Sequence, residues 1–316
     1  MKIKLIKNRS DIGAGTRGSD MGIDAIEIAA INAGSDFFHV QAFEDVETHN
    51  ESIYNKNRND FAKRIEHVQE QCERVSKAVT ANLKEGFFPI VLSGDHSSAL
   101  GTMSGIKAAY ADKKIGVIWL DAHADLHSPY TSPSGNIHGM PLAAALGNDN
   151  LSCQINHPEK GTIVHWEAMK NIGVHGPKVT PEHLIFFGLR DYEEAEANLI
   201  AAHDISVYKV EEVRFRNIQI CVAEAIEQLQ NCDYIYISFD VDSMDCDSIS
   251  YGTGTPVPIG FQANEIIQII DQFLATKKVC CIEFTEINPL LDNKGNKMAE
   301  TAFQVLEHIS KSILHF

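Results

Sequence analysis

The stretch IGVIWLDAHADLH (115–127) joins six apolar residues to an alternation of Asp and His. An unbroken apolar run is how a strand buried on both faces reads. Asp121, His123 and Asp125 then follow at spacings of two, so extended geometry would turn all three side chains to one side. Carboxylates placed directly after a buried strand are costly unless compensated, and a metal cation supplies that compensation.

The same device recurs elsewhere in the chain. FPIVL (88–92) runs into SGDHSS with His96, YIYISF (234–239) into DVDSMD with Asp240 and Asp242, and VCCIEF (279–284) into TEINP with Glu286. LIFFGL (184–189) and ISVYKV (205–210) are further apolar runs. Helix-period stretches lie between most of them. In 59–86, Phe61, Ile65, Val68, Cys72, Val75, Val79 and Leu83 recur at steps of three and four, which puts them on one helical face. Further helices are expected near 98–112, 216–230, 262–276 and 297–313. Strands alternating with helices predict an α/β fold, a three-layer αβα arrangement around a central parallel sheet. No long linker, repeat or low-complexity segment interrupts it, so residues 1–316 are read as one domain. The polar stretch 44–58 is expected to be an exposed loop, and 148–182 is weakly patterned.

Composition narrows the function. Among 316 residues 44% are hydrophobic, enough for a substantial core, and the formal net charge is -16. That charge argues against nucleic acid and anionic membrane surfaces as partners and suits a small cationic substrate or bound cations, although an ordinary acidic enzyme would look the same. The seven cysteines (72, 153, 221, 232, 246, 280 and 281) show no CxxC spacing and are expected reduced, as in a cytoplasmic protein. The N-terminus MKIKLIKNRSDIG lacks the apolar segment of a secretory signal. No apolar run reaches the roughly 20 residues of a membrane helix.

In parallel sheets ligands bind beyond the carboxyl ends of the strands, where these ionisable groups fall. His96, Asp121, His123, Asp125, Asp240 and Asp242 make four carboxylates and two imidazoles. That exceeds one tetrahedral zinc site and suits two ions with bridging carboxylates. The carboxylate-rich set leans towards manganese. Taken singly, GDHS reads as a capped turn and DVD as a helix-capping loop; three such motifs, each ending an apolar strand, favour the metal reading.

These motifs resemble those of the arginase and agmatinase family, the ureohydrolases. SGDHSSALGTMSG (93–105) is similar to the family's first histidine motif, with Ser93 where Gly is usual; LDAHADLHSP (120–129) to the second; SFDVDSMD (238–245) with TGTP (253–256) to the third; and EINP (286–289) to the last acidic motif. The matches span about residues 10 to 290. The resemblance implies a binuclear site with two Mn²⁺ ions: His96 and Asp125 on one ion, His123 and Asp242 on the other, Asp121 and Asp240 bridging. It also implies a homotrimer or homohexamer. SGNIHG (134–139) and SDIGAGTRGSDMG (10–22) look like arginase in particular. By that likeness Ser134 and Asn136 would contact the substrate's α-carboxylate, Glu196 its α-amino group, and His138 would relay protons.

Two positions depart from the arginase pattern. His127 stands where Asn is typical for the α-carboxylate, and Glu193 where Asp is typical for the α-amino group. His127 can still donate to a carboxylate, and Glu193 keeps the charge on a longer arm. There is also one more residue between Asp240 and Thr255 than arginases lead one to expect, in the stretch with Tyr251 and Gly252.

The chemistry expected is hydrolysis of a guanidino group, most directly L-arginine to L-ornithine and urea. A guanidinium carbon is a poor electrophile, so water must be activated; two metals can bring its pKa from ~15.7 to around 7, and a metal-bridging hydroxide would attack. Asp125 would orient it, Glu286 would pair with the guanidinium, Thr255 would add a polar contact, and His138 would protonate the departing amine. Three rivals stand beside this: a ureohydrolase for agmatine or a guanidino acid, a non-catalytic metal-binding oligomer, and a two-metal phosphoesterase. Against the last, Arg190 is the only cationic residue near the motifs.

Overall fold

Eight strands form one parallel sheet in a computed structural model that describes residues 2–55 and 59–314. In chain order they are β1 (Lys2–Asn8), β2 (Ala42–Asp45), β3 (Phe87–Ser93), β4 (Ile115–Leu120), β5 (Leu184–Phe187), β6 (Ser206–Tyr208), β7 (Tyr234–Asp240) and β8 (Val279–Thr285). Their order across the sheet is β2-β1-β3-β8-β7-β4-β5-β6, and every pairing is parallel. The four strands that run into His96, Glu286, Asp240 and Asp121 are therefore consecutive neighbours, β3, β8, β7 and β4. Their carboxyl ends open on one crevice.

Period-two alternation splits each central strand between two cores. Ile118 and Leu120 of β4 face one apolar cluster while Val117 and Trp119 face the other. The first cluster is closed by helices Gly22–Asn32, Ile218–Gln228, Ala263–Ala275 and Lys297–Leu314, the second by Ile65–Lys84, Ala99–Ala109, Pro141–Leu146 and Lys160–Lys170. Helices on both faces make the three layers expected. An extra residue in β8 shifts its register on β7 between Ile235 and Tyr236, which brings Ser238 level with Glu283 and Asp240 level with Thr285. Such a bulge re-aims side chains.

Several expectations need adjustment. The helix predicted over 59–86 spans Ile65–Lys84, because Arg64 adopts a left-handed φ of 58° and sends its guanidinium to the carbonyls of Ile12 and Ala14. The run 184–189 stops at Phe187, before Gly188 at φ 95°. Residues 205–210 hold only the short β6, and Val210 starts a helix. The stretch 44–58 is not all loop: β2 includes Glu44 and Asp45, a 3-10 turn covers Asn50–Tyr54, and residues 56–58 lie outside the described residues. The weakly patterned 148–182 contains the helix Lys160–Lys170. All seven cysteines are free, and only Cys153 is not buried. Among the described residues no helix is long and apolar enough to cross a membrane.

Candidate active site

Asp121 follows β4 at once, and its Oδ1 accepts from the backbone N–H of His123 at 2.7 Å. Asp240 ends β7, and its Oδ1 accepts from the N–H of Asp242 at 2.8 Å; Asp242 Oδ1 accepts from Ala122 N–H at 3.1 Å. Each carboxylate thus spends one oxygen on a nearby backbone donor and turns the other inward. The inward oxygens meet the imidazoles: His96 Nδ1 lies 3.0 Å from Asp121 Oδ2, 3.0 Å from Asp125 Oδ2 and 3.2 Å from Asp240 Oδ2. His123 Nδ1 lies 2.9 Å from Asp242 Oδ2.

This geometry passes the test for a cation. His96 Nδ1, Asp121 Oδ2 and Asp125 Oδ2 are buried without a hydrogen-bond partner although they crowd together. Buried lone pairs converging on one point are expensive unless a cation lies among them. Of the groups whose ligand atoms lie within 4.8 Å of one another, two meet on this floor, His96–Asp121–Asp240 and Asp121–His123–Asp242. Asp121 belongs to both, as a bridging carboxylate would. Electrostatics express the same crowding. Burial and the neighbouring Asp121 push the Asp125 carboxyl up to about 6. Asp121, despite burial, is held below the usual range by its bonds to His123 and His96.

Backbone strain collects here. Asp125 and Glu286 adopt φ of 53° and 66°, left-handed values uncommon for residues other than Gly, of the kind found at functional sites. Glu286 Oε1 accepts from His96 N–H at 2.9 Å and pairs with His138 Nδ1 at 3.2 Å. Burial works against protonation of His138, but the Glu286 contact outweighs it and raises the imidazole to about 9. Thr255 Oγ1 reaches Asp242 Oδ2 at 3.2 Å.

A cavity of about 150 Å³ opens above these groups, lined among others by His96, His123, Asp125, His138, Asp240 and Thr255. His127, Ser134, Asn136, Glu193 and Glu196 line it too, while Asp121 and Asp242 lie beneath. At its rim His127 Nε2 meets Glu193 Oε2 at 2.9 Å and Glu196 Oε2 at 3.5 Å, and His127 Nδ1 meets Thr131 Oγ1 at 3.1 Å. The hydrogen bond with His127 holds Glu193 down to about 2, whereas burial pushes Glu196 up to about 8. Ser134 Oγ accepts locally from Asn136 N–H at 3.1 Å, and Asn136 Oδ1 accepts from Lys63 Nζ at 3.2 Å.

Some contributors escaped the sequence reading. Ser238 Oγ lies 2.7 Å from His96 Nε2, and the Trp119 ring stacks on the His96 imidazole with centroids 4.1 Å apart. Ser238 sits two residues before Asp240, so strand periodicity already placed it on the ligand face. Asp191 lines the cavity, 3.7 Å from His123 Nε2. Arg190 is no phosphate reader: its guanidinium is spent on the carbonyls of Asp242, Val257 and Pro258, among others, tying the ligand loop to the segment after Thr255. Of the histidines outside the motifs, His49 meets Glu70, His165 meets Gln69 and His308 meets Asp271; His315 lies outside the described residues.

Comparison with known proteins follows the same lines. A family model described as the arginase family matches residues 2–310. The arginase of Bacillus subtilis (strain 168) is 34% identical over 309 residues, 97% of this chain and 97% of the relative. The arginase of Bacillus caldovelox is 33% identical over 307 residues, 96% of each. A crystal structure of Bacillus caldovelox arginase superimposes with a TM-score of 0.83 at 33% identity, covering 98% of this chain and 97% of that one.

Proposed function

The chain belongs to the arginase family, and from that premise we propose that it hydrolyses L-arginine to L-ornithine and urea with two manganese ions. The observation that carries the reading is the pair of ligand groups sharing Asp121, roofed by the His138–Glu286 contact. His96, Asp125, Asp121 and Asp240 would hold one ion, and His123 and Asp242 with the same two bridging carboxylates the other. When bound, the ions supply the Lewis acidity that makes water nucleophilic near neutral pH.

The chain's own residues do the rest. Asp125 accepts a hydrogen bond from the attacking water and so aims its lone pair at the guanidinium carbon. Glu286, anchored by His96 N–H, pairs with the guanidinium and keeps the carbon facing that water. A C–O bond forms and a C–N bond breaks. The departing amine nitrogen takes a proton, which His138 delivers; the Glu286 contact favours the protonated form of its imidazole. Thr255, hydrogen-bonded to Asp242, borders the guanidinium. Ser134, Asn136 and His127 would read the α-carboxylate, Glu193 and Glu196 the α-ammonium. The same reading includes one domain over the whole chain and a homotrimer or homohexamer working in the cytoplasm.

One observation favours a second reading. Glu193 is engaged with His127, so the acid expected to meet an α-ammonium already has a cationic partner, and a ureohydrolase for agmatine or a guanidino acid would tolerate that. Urea release from a panel of guanidino compounds with Mn²⁺ decides between them. The expected result is arginine well ahead of the others; arginine turned over no better than agmatine overturns the arginase reading.

A further inference from the structure

The cavity above the candidate ligands measures about 150 Å³, less than the roughly 300–1,000 Å³ usual for small-molecule pockets. A guanidinium fits inside it and the remainder of a substrate must leave it. Beside it lies a second cleft of about 460 Å³, lined by Thr131, Ser152, Cys153, Gln154, Ile155 and Asn198. The two spaces share His127, Pro133 and Glu193. The His127–Glu193 contact, 2.9 Å long and with Glu193 on the exposed side, is therefore the wall between them.

The cleft's chemistry is specific. Among the described residues no Lys or Arg lines it, and its one basic side chain, His127, is already taken by Glu193 and Glu196. A free carboxylate entering it finds no uncommitted cation. The Gln154 and Asn198 amide nitrogens donate to Asn156 O at 2.8 Å and to Cys153 Sγ at 3.5 Å, which leaves their amide oxygens, beside the Glu194 carboxylate, to accept from a substrate N–H, and Ile155, 66% exposed, offers an apolar surface. That combination suits a peptide amide followed by a small residue.

We propose that this cleft is a subsite for a substrate extended beyond the α-carbon, so that the enzyme accepts arginine whose carboxyl group is amide-linked to a further small residue. The inference rests on the proposed arginine hydrolysis and names a broader substrate class for the same site. Amide formation removes the charge that nothing in the cleft answers and leaves the α-ammonium unchanged. The reaction is unchanged: the guanidino group yields urea and the amide link stays intact.

Cys153 lines the cleft, and the other six cysteines are buried, so alkylation of its thiol reports occupancy without reference to turnover. The manganese-loaded enzyme is given L-arginine or L-arginylglycinamide, whose amidated end carries no carboxylate into the cleft. We expect urea from both, with kcat/KM within tenfold of one another, and at least fivefold slower alkylation of Cys153 by iodoacetamide with arginylglycinamide than with arginine. Asn198→Trp, which fills the cleft, should abolish that protection and lower the arginylglycinamide-to-arginine ratio of kcat/KM at least tenfold. Urea from arginine with neither urea nor protection from arginylglycinamide overturns the subsite and leaves the arginine reading standing. Protection by arginylglycinamide without urea from arginine supports the subsite and sinks the arginine reading. A ratio unmoved by Asn198→Trp also overturns the proposal.

Discussion

On the floor of the cavity, Asp121, Asp240 and Asp242 each give one oxygen to a backbone N–H at the strand ends; at its rim, His127 and Glu193 hold each other through side chains. The floor is aimed by main chain, and β4, β7, β3 and β8 fix that main chain in the middle of the sheet. The rim sits on the turns after β4 and β5 and is aimed by two long side chains. Substitution there can re-tune what is recognised without turning a metal-facing oxygen. This contrast explains how a chain can keep all six candidate ligands and still carry His127 and Glu193 where its resemblance to arginases leads one to expect Asn and Asp.

Breaking the floor should have the largest effect. His123→Ala removes the imidazole that meets Asp242 at 2.9 Å and should lose manganese and activity together, by roughly a thousandfold in turnover, or about 4 kcal/mol at 1.36 kcal/mol per factor of ten. Metal analysis after dialysis and urea assays measure both, and a fully active variant would refute the ligand assignment. His138→Asn probes the roof. It should retain the metal and lose about a hundredfold in kcat, the lower end of what a general acid supplies. Unchanged turnover at saturating substrate would remove the proton-delivery role. Ser238→Ala tests the support beneath a ligand. Losing the 2.7 Å contact to His96 Nε2 should weaken metal affinity about tenfold, as for other groups that orient metal-binding histidines. Competition with a chelator reads this out, and wild-type affinity would mean that stacking on Trp119 alone orients the ring.

The floor was also the more legible region. Strands buried on both faces read as uninterrupted apolar runs, and an Asp or His directly after such a run stands out because only a cation or a dense set of donors makes it affordable. β1 was hidden because KIKLIKN alternates lysine with apolar residues; Lys7 is buried even so, paired to Glu27 at 2.8 Å. The helix Lys160–Lys170 was hidden because its buried face mixes Thr162 and Lys170 with Trp166 and Met169. Arg190's role could not be read at all, since its acceptors are backbone carbonyls up to 68 residues away, and no residue type advertises a carbonyl. At the rim the sequence shows two unusual residues, but only the fold shows that they touch.

That contact yields the smallest and most discriminating prediction. If His127 and Glu193 recognise the substrate's tail as a unit, changing either strands the other. Glu193→Asp withdraws the carboxylate by one methylene from a 2.9 Å contact, and His127→Asn removes the partner that holds Glu193 down. Each should raise KM for arginine about three- to tenfold while kcat stays within about threefold, because neither touches the reacting carbon; loss of tail binding is felt in the ground and transition states alike. The double variant restores the pairing typical of arginases and should recover part of the loss. Residues in contact show coupling of about 0.5–3 kcal/mol, so the double variant should deviate from the product of the singles by at least about twofold. Effects that multiply within about 0.5 kcal/mol would mean that the two positions changed independently, and a fall in kcat as large as that for His138→Asn would mean that the rim reaches into the chemistry after all.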